Sequence, residues 1–143
     1  MTRPPSLEEA RMNLGELRGR EVVMHGSALS DLFTPRSDVD VAVVARDADA
    51  SRNRALWRGI VGSAPDRYDI RVYELLPLPV RVAIARRHEV VFGDRVELSS
   101  YFYRDRRTWK DQEPRYRANQ FRDLREKREA LTRARRSAGQ LET

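Results

Sequence analysis

The sequence predicts an α/β (α+β) fold, a small β-sheet with helices packed on it, followed by a C-terminal helical extension. Three observations carry this. Four short runs rich in Val, Ile, Tyr and Phe alternate with helix-period segments before residue 95. The run Val39 to Ala45 stays apolar beyond its acids, as a strand buried on both faces does. From Leu98 onward the strand pattern does not return, and the last third reads as helix.

In order, Ser6-Leu7-Glu8-Glu9 is a capping box opening a helix to Arg18, with Leu7, Ala10, Met12, Leu14 and Leu17 on its apolar side. A first strand spans Val22 to His25, and a short helix is expected from Ala28 to Phe33, stopped by Thr34-Pro35. The second strand is Val39 to Ala45. A helix from Asp47 to Gly62 has Ala55, Leu56, Ile60 and Val61 available to cover the sheet. Tyr68 to Tyr73 alternates, so Asp69, Arg71 and Tyr73 share one face. Pro77 and Pro79 introduce a helix through Arg87, and Glu89 to Phe92 is a further strand ended by Gly93-Asp94. Leu98, Tyr101, Phe102 and Trp109 form a stripe expected to dock on the sheet domain. Pro114 is expected to break that helix. Beyond it the stripe thins to Tyr116, Phe121, Leu124 and Leu131, and the chain is expected to fray after Ser137. This divides the chain into a core, residues 1–95, and an Arg-rich helical extension, residues 96–143.

The chain has 143 residues, no Cys and a formal charge of +6, which excludes disulfides and thiolate metal sites. The excess charge is local: Arg104 to Arg136 holds 13 basic and 6 acidic residues, whereas residues 1–103 hold 15 of each. Such asymmetry predicts an acidic partner or nucleic acid, set against the plainer reading of a solvated helix face. No stretch has the apolar length of a membrane span, and the N-terminus lacks the apolar core of a signal peptide. A cytoplasmic protein with no membrane association is the expectation.

Chemistry concentrates between Glu21 and Ala45. Asp38 and Asp40 lie two residues apart on one face of a strand, where two carboxylates repel each other. They suit Mg²⁺, which is typically held by one or two carboxylates plus substrate phosphates. Gly26-Ser27 stands where the first strand ends, offering close backbone approach and a hydroxyl to a phosphate. Asp69, near the start of its strand, can join the pair if the strands are neighbours, and Arg71 on the same face could meet a phosphate or neutralise the acids, the second being the expectation. His25 is read as structural.

Gly26-Ser27, ten residues, then Asp38-x-Asp40 resembles the signature of the DNA polymerase beta-like nucleotidyltransferase superfamily, and the short length points to its minimal nucleotidyltransferase branch. The resemblance continues through Pro35, Ser37, Tyr68-Asp69-Ile70 and Leu76-Pro77 to Arg81, about two-thirds of the chain. Ala28 to Asp31 departs from it, since many relatives carry Arg and Gly in that turn. The resemblance implies a small mixed sheet with helices on it, the polymerase beta-like nucleotidyltransferase fold. It implies two Mg²⁺ (or Mn²⁺) ions held by Asp38, Asp40 and Asp69, with Asp69 also helping to deprotonate the acceptor. Gly26, Ser27, Arg36 and Ser37 would bind the nucleotide, an NTP and for choice ATP. The implied reaction is transfer of AMP to a hydroxyl of a protein partner, a small helical HEPN-type toxin. The alternatives are nucleotide addition to an RNA or tRNA end, favoured by the basic helices, and a non-catalytic partner-binding module. A homo-oligomer is also left open.

Overall fold

The computed structural model describes residues 3–141. Four strands, β1 (Glu21–His25), β2 (Val39–Val44), β3 (Tyr68–Val72) and β4 (Glu89–Phe92), form one sheet in the order β3-β2-β1-β4. β1 runs antiparallel to both β2 and β4, and β2 runs parallel to β3, so the sheet is mixed. Among the described residues four α-helices accompany it: α1 (Leu7–Asn13), α2 (Ala50–Ile60), α3 (Leu78–Arg86) and α4 (Arg95–Leu141). The expected fold class is the one found.

The period-2 pattern decides which side chains meet which helices. Val22, Met24, Val39, Val41, Val43, Ile70 and Val72 form one core with Ala10, Leu14, Leu17 and Ile60. Val23, Ala42, Val44 and Tyr73, from the other face, form a second core with Ile84, Leu98 and Phe102. β2 is therefore buried on both sides, as its Val/Ala run demands. Burying a side chain such as Leu98 or Phe102 contributes roughly 1.5–3 kcal/mol.

Local signals set the element ends. Ser6 Oγ accepts from the Glu9 N–H at 3.2 Å, which is the predicted cap. α1 nonetheless stops at Asn13, and a 3-10 turn, Gly15–Leu17, replaces the expected continuation to Arg18. α2 starts later than expected because Asp49, not Asp47, caps it by accepting from the Arg52 N–H at 3.0 Å. Its covering residues also differ. Ala55 and Val61 are exposed, while Asn53, Leu56, Trp57 and Ile60 make the inner face, and Trp57 Nε1 donates to the Ile70 carbonyl at 2.8 Å. The expected helix from Ala28 to Phe33 is a 3-10 turn at Gly26–Leu29, closed by Ser30 N–H to the Ser27 carbonyl at 3.0 Å. Thr34 to Ser37 is then a β-turn, with Pro35 at its second position and Ser37 N–H on the Thr34 carbonyl at 3.0 Å.

By internal contacts the chain divides into a first unit ending at Arg107 and a second starting at Thr108. In the first, Leu98 and Phe102 of α4 are fully buried beneath Tyr73 and Ile84. In the second, the helix passes through Pro114, correcting the expected break. Proline removes one N–H donor there, and water can serve the freed carbonyl on so exposed a helix. Ser137 to Leu141 is still helical, where fraying was expected; residues 142 and 143 lie outside the described residues. No helix among the described residues is long and apolar enough to cross a membrane.

Candidate active site

Three strands deliver the site. His25 at the end of β1 pairs in register with Asp40 of β2, and Asp40 pairs with Asp69 of β3. Because β2 and β3 are parallel, both acids occupy the same end of the sheet. They share the face that buries Ala42, Val44 and Tyr73 further along. Asp38 is exposed, one residue ahead of β2, so the sequence-predicted acids converge on one edge of one face.

The electrostatics show the convergence. Burial pushes the Asp40 carboxyl above its ordinary range, the Asp69 and Asp38 charges push it further, and Arg71 pulls it back. Arg71 Nε donates to Asp69 Oδ1 at 3.0 Å, the expected neutralising pair; the Arg71 side chain is exposed and that of Asp69 partly so, and water screening keeps its value to stability small. Among the described residues no three acid or imidazole side chains are closed into a metal-ligand cluster. The donor set is all carboxylate oxygen, which fits Mg²⁺ or Mn²⁺.

Gly26 has φ +76°, and a Cβ there would overlap Asp40 Oδ2. The glycine thus admits a left-handed turn and makes room for the Asp40 carboxylate itself, beyond the approach to phosphate that its position suggested. The Ser27 carbonyl also accepts from Ser30 Oγ at 3.2 Å, and its hydroxyl makes no hydrogen bond among the described residues. An Arg87 side-chain nitrogen donates to the Leu29 carbonyl, tying the residue after α3 to this turn. Sequence reasoning missed Arg87, since nothing marks it among the many arginines.

Ser37 Oγ accepts from the Thr34 N–H at 3.0 Å and lies 3.1 Å from Thr34 Oγ1. Arg36 is exposed. Among the described residues no hydrogen bond or ion pair joins Arg36 or Ser37 to the three acids; the β-turn places them just ahead of Asp38. His25 Nε2 is buried, with no hydrogen-bond partner among the described residues. Burial holds that ring's pKa down to about 4, against the Asp69 charge and with His88, so it is neutral at physiological pH.

The nucleotidyltransferase domain family model matches residues 7–92. A proposed protein adenylyltransferase of Methanocaldococcus jannaschii is 40% identical over 106 residues, 74% of this chain and 82% of that one. Among solved structures, a chain of the MntA–HpeT toxin–antitoxin complex superposes with a TM-score of 0.59 at 12% identity, covering 80% of this chain and 94% of that chain. A chain of a toxin–antitoxin structure with AMP-PNP gives 0.54 at 16% identity, covering 76% and 86%. A chain from the complex of tri-AMPylated Shewanella oneidensis HEPN toxin with MNT antitoxin gives 0.53 at 12% identity, covering 78% and 90%. These likenesses show the fold.

Proposed function

The chain belongs to the nucleotidyltransferase domain family and is a transferase, and from that premise we propose that it moves AMP from ATP onto a hydroxyl of a protein partner, a small helical toxin of the HEPN kind. The observation that carries this is the register Asp40 to Asp69, with Gly26 packed on the Asp40 carboxylate and Asp38 adding its charge. The relative's name supports AMP transfer, and the neighbouring toxin–antitoxin structures support the partner.

Asp38, Asp40 and Asp69 would hold Mg²⁺ or Mn²⁺, and Gly26, Ser27, Arg36 and Ser37 would hold the triphosphate. When bound, the metal supplies positive charge that neutralises the phosphates and the leaving pyrophosphate. The chain's own work is positioning. The turn at Gly26 to Leu29 presents backbone N–H groups and the free Ser27 hydroxyl to the phosphates. Asp69 accepts the acceptor hydroxyl's proton, and Arg71 beside it holds its carboxylate ready when no acceptor is present. The hydroxyl oxygen then attacks the α-phosphorus, and the bond to pyrophosphate breaks.

RNA-end addition is the second reading, favoured by the basic second unit, where ten basic face five acidic residues from Thr108 to Gly139. The test is to incubate the chain, isolated with its co-purifying proteins and RNA, with Mg²⁺ and labelled ATP. The expected result is one AMP or more on a protein hydroxyl, absent with Asp69→Asn. Label on RNA alone, or label on protein that Asp69→Asn retains, would overturn the proposal.

A further inference from the structure

In the second unit Phe121, Leu124 and Leu131 are 70%, 67% and 60% exposed. They are not scattered. The order Arg117, Phe121, Leu124, Arg128, Leu131, Arg135 advances by alternate steps of four and three residues, the a/d spacing of a helix that packs against another helix. Tyr116, expected to belong with Phe121 and the leucines, does not. Its ring packs on Trp109 with centroids 5.0 Å apart, on a different side of the helix.

The arginines in this row decide what can cover it. Arg117 is paired with Glu113 at 2.6 Å. Among the described residues, Arg128 and Arg135 have no carboxylate within ion-pair distance. A second copy lying parallel would set Arg128 against Arg128 and Arg135 against Arg135. An antiparallel copy would set Arg128 on Leu124 with no acid in the row. The unit's excess of basic residues opposes either pairing. Phe121 could stack on a base, but Leu124 and Leu131 offer a nucleic acid neither a stacking face nor a hydrogen bond, whereas both suit the apolar side of a helix.

We propose that the second unit is a docking arm for an acidic amphipathic helix of a partner protein, with Phe121, Leu124 and Leu131 taking its apolar side chains and Arg128 and Arg135 its carboxylates. This goes beyond the transfer reaction: it concerns how a partner is chosen, and holds whatever group reaches that partner.

The test uses the full chain and a labelled synthetic helix of about four heptads, with Leu at a and d and Glu at e and g. A twin peptide carries Lys for Glu. Fluorescence anisotropy at roughly 0.15 M salt should show the acidic peptide binding at least about tenfold tighter than its twin. Leu124→Asp with Leu131→Asp should weaken it by about tenfold or more. Arg128→Glu with Arg135→Glu should shift the preference toward the Lys peptide. The ATP thermal shift of the first unit should be the same in both variants as in the parent, showing that they fold. Four results would overturn the proposal: no binding of the acidic peptide, binding that the leucine changes leave intact, displacement of the peptide by random-sequence RNA, or self-association that Leu124→Asp abolishes.

Discussion

Single side chains carry the sharpest expectations. Asp40 is held against its own ionisation by burial and by Asp69 and Asp38, so Asp40→Asn should leave the metal-free protein as stable as its parent or more so. Denaturation in chelator checks this; a lower midpoint would make the acid part of the scaffold. The same change should cost more activity than the roughly 10–100-fold typical of residues that only support metal ligands. Gly26→Ala should destabilise by about 1–2 kcal/mol for its left-handed backbone, with added loss from crowding Asp40. The buried His25 ring supplies a pH signature. Its folded pKa, about 4, lies below the unfolded value near 6.5, so its contribution to stability is whole above about 6.5. That contribution is lost as pH falls toward 4, by up to about 3 kcal/mol. Denaturation midpoints from pH 7 to 4 should therefore fall less in His25→Gln than in the parent. Residues of this kind were legible in sequence where spacing encodes them. The Asp-x-Asp step fixed a shared face, and the proline in the Thr34 to Ser37 turn fixed where the strand could begin. Arg87 and the contact of Gly26 with Asp40 were not, because both depend on which distant backbone comes near.

At the scale of elements, the site is a consequence of strand order. Asp69 lies 29 residues beyond Asp40 yet is its register partner, and only the parallel pairing of β2 with β3 brings that about. The alternating pattern located both acids on a face but could not say which strands were adjacent. The far end of β2 is braced in a way no local pattern announced. Glu74 accepts from the Ala45 and Arg46 N–H groups at 2.9 Å each and from the Tyr101 hydroxyl at 2.6 Å. Arg46, with φ +54°, turns back to pair with Glu21 and lies over the Tyr101 ring at 4.7 Å. Glu74→Ala should leave those donors wanting, at about 1–3 kcal/mol for each one that water cannot reach; urea denaturation would measure it. α4 ran longer than expected because a proline weighs about 3 kcal/mol against a helix interior without always ending it. Pro114→Ala should raise helical ellipticity and thermal resistance in the second unit, and no change in either would mean that this turn gains nothing from the restored hydrogen bond.

Across the whole molecule, charge and chemistry separate. Residues 1–103 balance their charges and hold the acid edge, whereas the surplus lies in the basic helix that follows. An anionic triphosphate cannot approach three neighbouring carboxylates without a cation between them. The most direct measurement is therefore nucleotide binding by titration calorimetry, with ATP and Mg²⁺ and with ATP and chelator, on the parent and on Asp40→Asn. A metal-bridged site predicts binding by the parent with Mg²⁺ alone, worth roughly 2.7 kcal/mol of added stability at a hundred times Kd, and its loss both in chelator and in Asp40→Asn. ATP binding of equal strength with and without metal, or binding that survives in Asp40→Asn, would contradict it.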